Sequence, residues 1–288
     1  MKQLLWYTTF FTLLFAGDRL GGHLLKRQVA QSQFRYSRLY GGQAAADILL
    51  VGNSRGLTFY QPYIEEKTGR STFNFSYNGL PMDAAKVLVQ DYLDRYPTPQ
   101  LLVVDITSCD RTNDALLAGF SAYADQSFRL DTLIHSRLPK VWWGNKVSSL
   151  FRYNSEIFQR ALSYRRQTDQ NWLLDRVISP RLVARMEQDS YLLKVHPYLV
   201  AQLQEIVASA QAKGVSVRLV ISPYFPGFDH HVTHLDALKK AVEQATGLPV
   251  QDYRQALSDP DCFGDFMHPN KKGSMAYIDL MRRDGVLP

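Results

Sequence analysis

The chain has 288 residues, of which 45% are hydrophobic and 21% charged. This is enough for one large α/β domain or two small ones, and it excludes a disordered, collagen-like or repeat architecture. Two cysteines, Cys109 and Cys262, are too few for a disulfide scaffold or a four-cysteine zinc site. The net charge of +6 is unevenly placed: residues 1–46 carry six Lys/Arg against one Asp, residues 111–200 thirteen against eight acids, and the remainder is mildly acidic. No zinc-finger, RNA-binding or helix-turn-helix signature accompanies the charge, so a nucleic-acid partner is not expected. A basic segment beside an apolar N-terminus fits a membrane surface better.

Leu4 to Gly17 is free of charge, with Lys2 before it and Asp18 and Arg19 after it. As a helix it would reach roughly 21 Å, short of a ~30 Å hydrocarbon core unless the flanking cations snorkel or the bilayer thins. Residues 1–25 therefore read as a membrane anchor or a signal-like helix. A cleaved signal and a buried helix stay open as alternatives. The cations that follow the segment favour a cytoplasmic domain by the positive-inside rule. Residues 26–46 read as a basic connecting segment.

The runs Asp47–Val51, Leu101–Ile106, Val215–Ile221 and Leu248–Tyr253, with the alternating Thr72–Ser76, predict five strands. Helical spacing is expected over 83–95, 196–213, 233–246 and 270–283. Alternation of strand and helix predicts a parallel sheet covered on both faces. Residues 110–200 hold no strand pattern and are expected to be a helical insertion (113–120, 145–165, 170–188) after the third strand. The resulting division is an N-terminal helix 1–25, a connector 26–46 and an α/β domain 47–288.

Two features carry chemistry. Gly52-Asn53-Ser54-Arg55-Gly56 follows the first strand at once, and a Ser on such a turn shows its hydroxyl at the carboxyl edge of the sheet. The string also matches the G-x-S-x-G elbow of α/β-hydrolases. Asp265-Phe266-Met267-His268-Pro269-Asn270 places a carboxylate and an imidazole three residues apart on a loop before the last helix. A serine nucleophile needs an imidazole to take its proton, and the imidazole needs a carboxylate to fix its tautomer. Ser54, His268 and Asp265 are thus the candidate triad. His230, His231 and His234 read as a solvated loop rather than a metal site, and no metal or cofactor is expected.

One strand before the Ser, with Asp and His sharing one late loop, resembles the SGNH (GDSL-like) hydrolase superfamily rather than the α/β-hydrolases. The resemblance spans residues 47 to about 283, apart from the insertion. It implies a flavodoxin-like three-layer sandwich around about five parallel strands. It implies an oxyanion hole from the backbone N–H of Ser54 and of Gly79, the latter within Asn74-Phe75-Ser76-Tyr77-Asn78-Gly79. The chain departs from the family pattern at two places: Asn53 stands where Asp is more common, and Cys109 where an Asn amide is expected to donate. Asn113 or Asn78 are the candidate replacements.

The N-terminal segment, the G-x-S-R turn and the insertion are together similar to bacterial proteins associated with O-acylation of cell-surface or secreted polysaccharide. That similarity implies an esterase or O-acyltransferase for acyl, above all acetyl, esters of an envelope polysaccharide. It also implies a membrane-anchored domain on the periplasmic side, against the charge count, and envelope-complex proteins as partners. Arg55, Trp142 and Trp143 are candidate substrate contacts, and the insertion a candidate lid. The competing expectation is an inactive binding or assembly component that keeps the fold.

Overall fold

The computed structural model describes residues 1–167 and 172–288. Five parallel strands form one sheet: β1 (Ile48–Val51), β2 (Thr72–Asn74), β3 (Leu101–Asp105), β4 (Ser216–Ile221) and β5 (Val250–Asp252), in the order β2-β1-β3-β4-β5. β1, β2 and β3 are buried along their whole length, which is why β1 and the first four residues of β3 read as apolar runs rather than alternations. Ile48 pairs with Thr72 on one side and Leu101 on the other, so the carboxyl ends of β1 and β3 lie side by side. β1 leads to β2 on one side and β3 lies on the other, so the order reverses between β1 and β3. In doubly wound sheets ligands settle outside such a switch point.

Parallel neighbours require crossover connections, and helices supply them. Gln61–Thr68 joins β1 to β2, and its Tyr63 hydroxyl donates to Asp279 on the last helix, Lys271–Arg283, at 3.1 Å. Met82–Arg95 and Pro197–Ala212 are linked by Lys86–Glu205 (2.9 Å) and Gln90–Ser209 (3.2 Å). The expected α/β class and central five-stranded parallel sheet are present, with strand ends shorter than expected by one to two residues.

The expected division of the chain is not the observed one. One compact unit comprises Met1–Gln43 with Asp114–Asp169; the other comprises Ala44–Asn113 with Gln170–Pro288. The region 110–200 is therefore not one insertion. Its first part groups with the N-terminus in sequence-distant pairing, and its last part groups with the sheet.

In the first unit α1 runs unbroken from Lys2 to Ala30, past the expected end at 25. Asp18, expected to flank the apolar segment, accepts from Ser148 Oγ (2.5 Å), Ser149 N–H (2.7 Å) and Leu150 N–H (3.1 Å). Arg19 donates to Ser149 Oγ (2.7 Å), and Lys26 reaches Asp125. These bonds hold the helix through its charged middle. Residues 1–17 are exposed, Leu4, Leu5, Trp6, Phe10, Phe11 and Phe15 among them. A membrane-spanning helix is not found: among the described residues no helix is long and apolar enough to cross a bilayer.

The expected helix over 170–188 is also corrected. Residues 170 and 171 lie outside the described ones. From Trp172 to Ile178 the chain is extended along the loop that carries His268. Leu174 bridges Asn270, Lys271 N–H donates to the Leu174 carbonyl (3.2 Å), and Ile178 N–H donates to the Phe263 carbonyl (2.7 Å). Among the described residues helix appears at Pro180–Val183, where Ser179 caps Leu182 N–H, and as a single 3-10 turn at Met186–Gln188. Backbone partners far away in sequence outweigh the local helical spacing.

Candidate active site

Ser54 sits at the first bend after β1. The turn needs glycine at both flanks because the backbone folds back on itself: a Cβ on Gly52 would lie 2.7 Å from Gly56 Cα, and one on Gly56 would run into Ser76. Asn74, the last residue of β2, braces the turn by donating to the Gly56 and Phe59 carbonyls at 3.0 and 3.2 Å. The hydroxyl of Ser54 is thereby presented at the carboxyl edge, at the switch point.

The second loop is organised by Asp265. Its Oδ1 accepts from Met267 N–H (2.8 Å), His268 N–H (2.9 Å) and the His268 ring Nδ1 (2.8 Å). Asn270 then caps the last helix at Gly273 N–H (3.1 Å) and anchors the loop to the Arg176 and Asp261 carbonyls. Burial pushes the Asp265 carboxyl upward, but the His268 ring and the two N–H donors outweigh it and hold the group below its usual range. An ionised carboxylate only accepts, so Nδ1 carries the proton and Nε2 is left as an acceptor. Nε2 stands 2.9 Å from Ser54 Oγ. Ser54, His268 and Asp265 are thus brought together in the order a nucleophile, a base and an orienting carboxylate require.

Two cavities meet at Ser54. One, of about 200 Å³, is lined by Leu57, Trp172, Leu173, Leu174 and Pro269, together with Asn78 and His268. The ring of Trp172 leans on Tyr77, with centroids 5.1 Å apart. The other, of about 150 Å³, is polar and is lined by Asn53, Gly79, Thr107, Ser108, Asp110, Arg111 and Tyr191. Ser54 and Gly79 both line this polar cavity, and their N–H groups have no protein acceptor among the described residues. Gly79 holds φ at +67°.

The remaining expected residues are placed differently. Asn113 donates to the Gly79 carbonyl (3.1 Å), so its amide faces the loop. Asn78 lines the apolar cavity rather than the polar one. Cys109 is fully buried, with its thiol against the Leu199 carbonyl (3.6 Å) and pushed well above the usual thiol range by desolvation and by nearby Asp105. It supplies no donor to the site.

Arg55 does not contact substrate space: it is 1% exposed. Its Nη1 donates to the Met267 carbonyl (2.7 Å) and its Nη2 to the Ser222 and Pro223 carbonyls, and its guanidinium lies 3.6 Å from the Tyr224 ring centre. Among the described residues no carboxylate pairs with it. Trp142 and Trp143 belong to the other unit, where Trp142 donates to Asp131 (3.0 Å) and stacks near His135, and Trp143 is exposed.

Residues that sequence reasoning passed over are Ser108, Asp110, Arg111 and Tyr191. The charged pair Asp110-Arg111, coming directly off the carboxyl end of β3, was the available signal. The segment that brings Tyr191 gave none.

No family model and no curated protein matches the chain. Among solved structures it is similar to one from Bacteroides fragilis that is provisionally described as an acylhydrolase, at 14% identity and a TM-score of 0.43, over 84% of this chain and 88% of that one. At that distance the likeness carries neither fold nor activity across.

Proposed function

We propose that this chain is a serine ester hydrolase or acyltransferase of the SGNH type. Ser54 Oγ attacks the ester carbonyl while His268 Nε2 takes its proton. Asp265 holds the ring and balances the imidazolium that forms, and the N–H groups of Ser54 and Gly79 receive the oxyanion. His268 then returns the proton to the leaving alkoxide, and a water or a second alcohol accepts the acyl group from Ser54. The observation that carries this reading is the 2.9 Å approach of His268 Nε2 to Ser54 Oγ, with Nδ1 on Asp265.

The substrate proposed is an acylated carbohydrate of the cell envelope, on the resemblance carried by the N-terminal segment, the G-x-S-R turn and the helical residues after the third strand. Attachment to a membrane surface through the exposed apolar residues 4–15 of α1, without a span, is part of the same proposal. An assembly or binding role is the second reading. The burial of Cys109 and the turn of Asn113 toward Gly79 favour it, because no strand-three amide is left for an oxyanion.

Release of 4-nitrophenol from its acetate ester by the full chain, against Ser54→Ala, tests the two. The enzymatic reading expects turnover that falls by about 10⁴-fold or more in the variant. Equal rates for the two chains would leave the binding role.

A further inference from the structure

We infer that the polar cavity beside Ser54 receives a carboxylate carried by the substrate, bound through Arg111, so that the chain acts on esters of acidic molecules. This deepens, and rests on, the esterase reading above.

The argument is an inventory of donors and acceptors around the cavity of about 150 Å³. The acceptors are already used. Asp110, with only 4% of its side chain exposed, takes Arg111 Nε and the Tyr191 hydroxyl on Oδ2 and Lys194 N–H on Oδ1, all at 2.6 Å. The Tyr191 hydroxyl also accepts from Arg111 Nη2 (2.6 Å). The Thr107 hydroxyl donates to buried Asp105 and accepts from the Asn53 amide (3.3 Å).

The donors are not used up. Arg111 Nη1 has no partner among the described residues, and 60% of the side chain is exposed. The Asn53 amide keeps a second N–H, since its oxygen is fixed by Arg55 N–H (2.9 Å) and one hydrogen by Thr107. The Ser108 hydroxyl is buried without a partner and can donate or accept. The groups left over on Arg111 and Asn53 can only donate. A group that only accepts fits, and the planar guanidinium fork matches a carboxylate in particular.

Two further features point the same way. A surface arginine ordinarily keeps its rotamer freedom, whereas Arg111 is pinned at Nε and Nη2 by a buried carboxylate and a tyrosine. That is pre-organisation, and it lowers the ordering cost of binding an anion. The cavity is well below the ~300 Å³ of a drug-sized site, so it admits one small group. Ser54 and Gly79 line the same space, so that group lies next to the scissile ester.

The test uses the full chain and the monoacetates of methyl glucosiduronate and of its carboxamide, which differ in one charge. The carboxylate ester is expected to have a kcat/KM about ten- to hundredfold higher, expressed mainly in KM. The ratio should shrink as salt is raised. Arg111→Gln should bring it close to one, and Arg111→Lys should restore part of it. Equal kcat/KM for the two esters in the unaltered chain, or an equal fall for both in Arg111→Gln and Arg111→Lys, would overturn the inference. The second pattern would assign the guanidinium to the oxyanion or to the fold.

Calorimetric binding of the same two esters to Ser54→Ala separates the failures. Preference for the carboxylate without turnover by the unaltered chain would sink the esterase reading and keep the subsite. Turnover without preference would do the reverse.

Discussion

Replacing Arg55 by Met keeps a long unbranched chain but removes every donor and the charge. Two buried carbonyls, those of Ser222 and Pro223, and the half-buried one of Met267 lose their donor. An orphaned buried acceptor costs about 1–3 kcal/mol, so the two buried ones together cost about 2–6 kcal/mol. Against this, a guanidinium with no carboxylate partner is no longer held out of water, a relief of several kcal/mol. The two nearly cancel, and stability should move by no more than about 3 kcal/mol, or roughly 6–12 °C in Tm for a unit of this size.

Catalysis has no such offset. Arg55 follows Ser54 and its acceptor Met267 precedes His268, so the Nη1 bond runs parallel to the Ser54–His268 contact and sets its length. A 1 Å misplacement at a reacting centre costs about 10² in rate. The expectation is a kcat lower by about 100-fold with KM within threefold, in a chain that still melts cooperatively. Arg55→Lys, with one ammonium for carbonyls on two loops, should recover a part of kcat only. Ester hydrolysis beside thermal melting checks this. An unchanged kcat, or a loss of rate that merely follows the folded fraction, would refute the clamp.

Further outcomes follow from the same site. Gly79→Ala places a Cβ 2.8 Å from Asn113 Nδ2 at φ +67°; steady-state kinetics should show kcat down by about 10²–10³ as the Gly79 N–H shifts. Asn113→Ala should lower kcat by less than about tenfold, because its amide is on the Gly79 carbonyl; a fall of 10² or more would make it an oxyanion donor after all. Asp265→Asn should lower kcat by about 10⁴ through loss of the right tautomer. Because the folded-state Asp265 carboxyl lies below its ordinary value of 3.8, its stabilising effect is present above that value and is lost as pH falls through the folded one. The Tm gap between the unaltered chain and Asp265→Asn should therefore be constant from pH 7 to about 5 and close below about pH 4.

The candidate triad was legible because each member is announced locally. Ser54 sits on a glycine-flanked turn directly after an apolar run, and Asp265 reaches His268 within its own loop. The strands were legible for a similar reason, since β1 and β3 are buried on both faces and show it in composition. Arg55 was misread as a substrate contact because its partners come from residues 222, 223 and 267, and nothing near position 55 tells a buried arginine from an exposed one. The oxyanion side was partly hidden for the same cause: the roles of Asn113 and Asp110 depend on Gly79 and Tyr191. The stretch after Trp172 carries helical spacing but is held extended by Leu174, Arg176 and Ile178 on the His268 loop. The grouping of 114–169 with the N-terminus depends on Asp18 meeting Ser148 and Ser149, which no window of sequence shows.

The bond between Ser54 and His268 spans 214 positions of chain. A ribosome adding about 5–20 residues per second makes the serine turn roughly 10–40 s before it makes the base. Through that interval the hydroxyl has no general base, and the loop holding Asp265 and His268 can close only when the last helix docks beside Gln61–Thr68. On the proposed reading, nascent chains are therefore catalytically silent whatever their first strands have formed, and the appearance of ester hydrolysis during synthesis would report closure of the sheet's final layer and not of its first.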